Sequence, residues 1–194
     1  MRITLVLLVA MIGTISCSST KLNFERDAKV FKNENLAFFL SQLYGSDQTI
    51  REVNDSKPGV IIMQKIDSLN FDRLIEFIEE HGFPNEKLLG RFYTEYECVS
   101  LAAPSILLHN SSRVVQENTF NLLKQEVQKG NMKPELLALV LDKFYVYNKG
   151  YSLYHTQFKK ANIKNKEIVN KARLEIGLEA LPDSLFTNTN NKKK

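Results

Sequence analysis

The sequence predicts an all-α fold: one compact domain of six to eight helices, with one irregular or extended segment near 151–158. Three observations predict it. Apolar residues recur at three- and four-residue spacing through nearly the whole chain, the rhythm of a helix with one buried face. Glycines and Gly-Pro clusters punctuate that rhythm at Gly45, Gly82-Phe83-Pro84, Gly130, Gly150 and Gly177, where helices stop. Over 194 residues, 43% hydrophobic and 25% charged content with only eight Gly and five Pro is the balance of a chain that collapses into a core, not of a low-complexity polymer.

The elements follow in order. Leu36, Phe39, Leu40 and Leu43 mark the inner face of a first helix that Gly45 ends, and Asp47-Gln48 begins a short helical stretch carrying Ile50 and Arg51. Asp55-Ser56-Lys57-Pro58-Gly59 reads as a loop. Beyond it stand Ile61, Ile62 and Ile66, then Leu74, Ile75, Phe77 and Ile78, with Asp67-Ser68-Leu69-Asn70 offering N-caps between the groups. His81-Gly82-Phe83-Pro84 ends that region: a basic last turn, a glycine free to turn left-handed and a proline beyond. After Gly90 a run from about Phe92 to Leu108 is helical, and Pro104 should kink or split it by removing a donor. Ser111-Ser112 can cap the next helix, with Val115, Leu122, Leu123 and Val127 inside and Gly130 as its stop. Pro134 suits the first turn of a helix bearing Leu137, Val140, Leu141, Phe144 and Tyr147, which Gly150 closes. Tyr151 to Phe158 keeps no helical period and is read as extended. Lys166 to Ile176 forms the last helix, with Gly177 and Leu178 as its cap.

Residues 1–16 read as a secretory signal: Arg2, an apolar run from Ile3 to Ile12, then small residues before Cys17. At about 1.5 Å per residue, Ile3 to Ile15 spans roughly 20 Å, short of a bilayer core of about 30 Å. Thr14-Ile15-Ser16-Cys17 resembles a bacterial lipobox, in which Cys17 is lipidated and becomes the new N-terminus; ordinary cleavage near Cys17 is the alternative. The organisation expected is signal 1–16, lipidated Cys17 and tether 17–33, helical domain 34–186 and a disordered tail 187–194. Ser18 after the Cys resembles lipoproteins sorted to the outer membrane. The address is then the cell envelope, facing the periplasm, with the membrane as partner through the lipid. Cys98 is the other cysteine and reads as a buried packing residue.

Charge excludes one class of partner. Without Arg2 and the three terminal lysines, bases equal acids at 22 each, so the body has no basic excess to displace counterions from phosphates, and nucleic acid is not expected. No Gly-rich phosphate loop, Gly-x-Ser-x-Gly elbow or HExxH occurs, and His81, His109, His155 and Cys98 lack metal-ligand spacings. No cofactor and no metal are expected.

From about Leu36 to Leu181 the chain resembles an uncharacterised helical domain of bacterial lipoproteins, domain-of-unknown-function family six-six-two-four. The residues that carry the resemblance are Asp47-Gln48 with Arg51, Asp67 with Asn70, Gly82-Phe83-Pro84, Gly90, His109, Leu141-Asp142, Gly150, Tyr154, Thr156-Gln157, and Arg173 before Gly177-Leu178. It implies the fold more than an activity. Where the family has Arg after the Asp this chain has Lys143, losing a planar fork. Where it has Gly between the Tyr and the Thr-Gln this chain has His155.

Asp47, Gln48, Arg51, His109, Asp142, Tyr154 and Gln157 are hydrogen-bonding or proton-exchanging types at helix breaks, and they are the candidate site. Gln48, Arg51, Tyr154 and Gln157 would bind a ligand. In a hydrolase, His109 would be general base, Asp142 or Asp47 would orient its ring and Arg51 would hold an anionic group. In a purely architectural reading, Asp47 caps a helix, Arg51 pairs with Asp142, and Tyr154 and Gln157 satisfy loop backbone. The functional expectation is a lipid-anchored envelope domain that binds a protein or a small polar ligand; the alternative is an envelope hydrolase. Phe38, Phe39, Phe77 and Phe120 are read as core.

Overall fold

The computed structural model describes residues 2–52, 57–157, 162–163 and 165–186, with side chains for 25–52, 59–157 and 165–186. Within them the chain is all-α and compact. Its ten α-helices are α1 (Arg2–Glu52), α2 (Lys57–His81), α3 (Glu86–Leu89), α4 (Arg91–Glu95), α5 (Glu97–Ser100), α6 (Ala102–His109), α7 (Ser111–Val114), α8 (Glu117–Gln128), α9 (Pro134–Lys149) and α10 (Lys166–Glu175). Two-residue strands β1 (Tyr151–Ser152) and β2 (Asn162–Ile163) pair in parallel, Tyr151 opposite Asn162, and a 3₁₀ turn covers Asp183–Leu185. No helix among the described residues is long and apolar enough to cross a membrane.

One core joins the long helices. Leu40 and Leu43 of α1, Phe71, Leu74 and Ile78 of α2, Ile106 and Leu107 of α6, Leu123 of α8, and Leu137 and Leu141 of α9 are buried to 2% exposure or less. Ala37, Leu40, Leu43 and Asp47 are spaced by three and four residues, so Asp47 lies on the same inward stripe of α1 as the leucines.

The helix count exceeds the six to eight expected, and the boundaries differ for physical reasons. Gly45 does not end the first helix: α1 runs through it, because burial of the continuing stripe outweighs the roughly 1 kcal/mol a helical glycine costs. Asp47 therefore lies within the closing turns of α1 and does not start a helix. Lys57-Pro58-Gly59 is no loop but the opening of α2, where a proline lacks nothing the first turn needs; Asp55-Ser56 lies outside the described residues. Asp67 and Asn70 are not N-caps, since α2 continues through them and both find partners on α1. The run from Phe92 to Leu108 is broken, but not by Pro104, which sits harmlessly in the first turn of α6; the breaks fall at extended Tyr96 and at Leu101. Ser111-Ser112 opens a single turn, α7, which Asn110 precedes.

The stops at Gly82, Gly130, Gly150 and Gly177 are where they were expected, each glycine having a positive φ. Past α10, the Gly177 and Leu178 amides donate back to Leu174 and Arg173. Phe77 is core and Phe39 stacks on it at 5.8 Å, but Phe38 is 64% exposed on the outer face of α1. Cys98 is half-buried, its Sγ 3.3 Å from Ser41 Oγ. The side chains of residues 1–24, Cys17 included, and the tail 187–194 lie outside the described residues.

Candidate functional site

The seven expected residues fall into two groups. Asp47, Gln48, Arg51 and His109 come together; Asp142 and Tyr154 form a separate network, and Gln157 lies exposed at the end of the 151–157 segment. The expectation of one shared hollow is corrected accordingly.

The first group is built by three helices. The last two turns of α1 present Asp47, Gln48 and Arg51, mid-α2 presents Asp67, and the C-terminal end of α6 presents His109. Asp47 is fully buried, yet every bond its carboxylate makes is to a polar neighbour. Oδ1 lies 2.9 Å from His109 Nδ1, and Oδ2 accepts from Gln48 Nε2 at 2.7 Å. Arg51 spans the group. Its Nη1 donates to the Asp47 carbonyl at 2.7 Å, its Nη2 to Asp67 Oδ1 at 2.8 Å, and its Nε to His109 Nε2 at 3.2 Å. The same Nη2 is 3.3 Å from Asp47 Oδ1.

These contacts set the imidazole tautomer. A guanidinium N–H can only donate, so His109 Nε2 accepts, and the ring proton sits on Nδ1 and is given to Asp47. The His109, Arg51 and Asp67 side chains retain 27%, 24% and 15% exposure, so solvent reaches the edge of the group while its base is sealed. Lys143 of α9 stands beside it. Burial first, then the Arg51 charge, pull the Lys143 ammonium below its ordinary range, with Asp67 acting the other way.

Asp47, Asp67 and His109 offer ligand atoms within 4.8 Å of one another, a set a divalent cation could use. Arg51 already fills that role, since its guanidinium contacts all three. Sequence spacing does not reveal this trio, because its members come from three helices and Asp67 by itself is a good helix cap. The available signal was a pair of poor helix formers, Asp67 and Asn70, at i and i+3 inside an apolar rhythm.

In the second group Asp142 does not orient His109. Its carboxylate, 0% exposed, is consumed by the segment after α9: it accepts from Ser152 Oγ (2.6 Å), Leu153 N (2.7 Å), Tyr154 N (2.9 Å), Thr156 N (2.9 Å) and Thr156 Oγ1 (3.0 Å). A stretch with almost no ladder of its own thus finds its acceptors on one carboxylate. Nor does Arg51 pair with Asp142. Tyr154 is 5% exposed, packed near Tyr145 with ring centroids 6.4 Å apart, and burial drives its phenol well above the ordinary range; its carbonyl accepts from Arg173 Nη1. Its ring packs beside Tyr145, apart from the His109 group. Asp142 and Lys143, adjacent in sequence, are about 100° apart around α9 and so serve different groups.

No family model, curated protein or solved structure matches this chain.

Proposed function

We propose that this chain is a lipid-anchored protein of the cell envelope, held at the outer membrane through Cys17 and facing the periplasm, whose helical domain binds a small polar ligand or a protein at the Asp47–Arg51–Asp67–His109 group. The observation that carries the binding reading is the half-open edge of that group: Arg51, His109 and Asp67 are cross-bonded over a buried base yet remain reachable from solvent. Preorganised donors and acceptors of this kind bind without having to be ordered first. The lipobox-like Thr14-Ile15-Ser16-Cys17 supports the anchor, and the resemblance to the lipoprotein domain family agrees with it. Two experiments test the reading. Cys17→Ala should release the protein from the membrane fraction or leave its precursor uncleaved; unchanged processing and retention reject lipidation. A thermal-shift screen with small carboxylates, phosphates and sugars should stabilise the native chain and not Arg51→Ala; equal responses of the two, or none in the native chain, reject the site.

The Asp47–His109 contact favours a second reading, an envelope hydrolase. A buried carboxylate that holds Nδ1–H at 2.9 Å leaves Nε2 as the proton-accepting atom, the arrangement of a general base. Arg51 Nε occupies that nitrogen at 3.2 Å, so a substrate would have to draw the guanidinium away before the ring could act. His109→Ala would then abolish turnover of an ester panel while melting stays unchanged; a lowered melting temperature with no activity to lose assigns His109 to the framework.

A further inference from the structure

A large recess among the described residues lies away from this polar group, where the loop after α2 faces the turn between α8 and α9. It has a volume of about 620 Å³, within the range of small-molecule sites. Phe83, Tyr93, Met132 and Leu136 give it an apolar lining. A second recess of about 200 Å³ adjoins it on the His81 side and shares Phe83, Asn85, Lys87 and Asn131 with it.

Its walls are fixed by a buried carboxylate. Glu126, 1% exposed, accepts from Phe83 N at 2.9 Å, Asn131 Nδ2 at 2.8 Å and Lys129 Nζ at 2.7 Å, tying both loops to α8. Asn85 Nδ2 bridges the walls directly, donating to the carbonyls of Phe83 and Asn131 at 3.0 and 3.1 Å. Gly82 allows the approach: a Cβ there would stand 3.2 Å from Glu126 Oε2, on a backbone with φ of 85°.

Two features select the occupant. Four of the wall amides are spent inside the protein: Phe83 N on Glu126, Asn131 N and Met132 N on the Glu126 carbonyl, Leu88 N on Asn85. Along these residues an extended peptide would find no free ladder, which leaves apolar contact and charge as the means of recognition. The charge is supplied by Lys87 and Lys133, both exposed, against the exposed carboxylate of Glu86, the Glu126 carboxylate being already paired with Lys129. We propose that this groove binds a single-chain anionic amphiphile, its hydrocarbon chain along Phe83, Tyr93, Met132 and Leu136 and its head group between Lys87 and Lys133. The inference does not depend on the reading given to the His109 group.

Calorimetric titration of the full chain with dodecanoate below its micelle concentration tests it. One saturable site is expected, with no binding of butyrate and at least tenfold weaker binding of dodecyltrimethylammonium. Lys87→Ala and Lys133→Ala, both surface changes, should each weaken dodecanoate about fivefold, and the double variant more, with melting unchanged. Dodecyl phosphate in a parallel arm separates a fatty acid from a phosphate-headed lipid, and a site for either supports the proposal. Equal affinity for anionic and cationic chains, indifference to the double lysine variant, or binding only of an acidic peptide overturns it.

Discussion

His155 shows what a single residue contributes. Its φ of 53° is the one positive value among the described non-glycine residues, in a region that costs an L side chain roughly 1 kcal/mol or more. The conformation is imposed from outside, because His155 N donates to Ser152 Oγ while the amides on either side of it, Tyr154 and Thr156, converge on Asp142. His155→Gly should raise stability by about 0.5 kcal/mol, the relief of strain exceeding the added freedom of the unfolded chain. Urea denaturation measures it, and a fall in midpoint would mean that the contacts of the ring outweigh the strain.

Among elements, α1 and the Glu126 tie make the sharpest expectations. A Cβ at Gly45 would meet nothing within 4 Å, and the residue is helical and exposed. Gly45→Ala should therefore stabilise by about 0.5 to 1 kcal/mol, read from the thermal midpoint. At Glu126, burial pushes the carboxyl up, but bonds from Lys129, Phe83 N and Asn131 together with the Lys129 charge outweigh it, and the net shift is downward. A carboxyl lowered in the folded state adds stability that is complete above its ordinary value of 4.5 and fades as pH falls through the folded value. Glu126→Gln should cost about 2 kcal/mol at pH 7, with the gap to the native chain closing below about pH 4; a gap independent of pH would reject the ionised tie. Helix type and the glycine stops were legible because period and left-handed turns are local properties. Gly45, Asp67 and Asn70 misled because each is a good terminator or cap in isolation, and only contact between α1 and α2 makes them helix interior. Asp47 with His109 was legible as a pairing of types. Its separation from Asp142 was not, because which face of α9 a residue occupies is settled by packing.

For the molecule as a whole, stability rests on one core shared by α1, α2, α6, α8 and α9, with three polar networks, around Asp47, Glu126 and Asp142, set into its edges. Leu107, 0% exposed on α6, touches that shared interior. Leu107→Ala should cost about 2 to 5 kcal/mol and lower one transition seen alike by far-ultraviolet circular dichroism and tyrosine fluorescence; two separated transitions would show that the α1–α2 half and the α9 half unfold independently. Arg51 has a consequence at this scale as well. Since a guanidinium already stands where two carboxylates and an imidazole converge, the protein carries its own permanent counterion, tethered by a side chain and impossible to dialyse away. EDTA should leave its melting untouched, and a chain shortened at that one position, Arg51→Ala, should become the version that responds to added zinc or manganese.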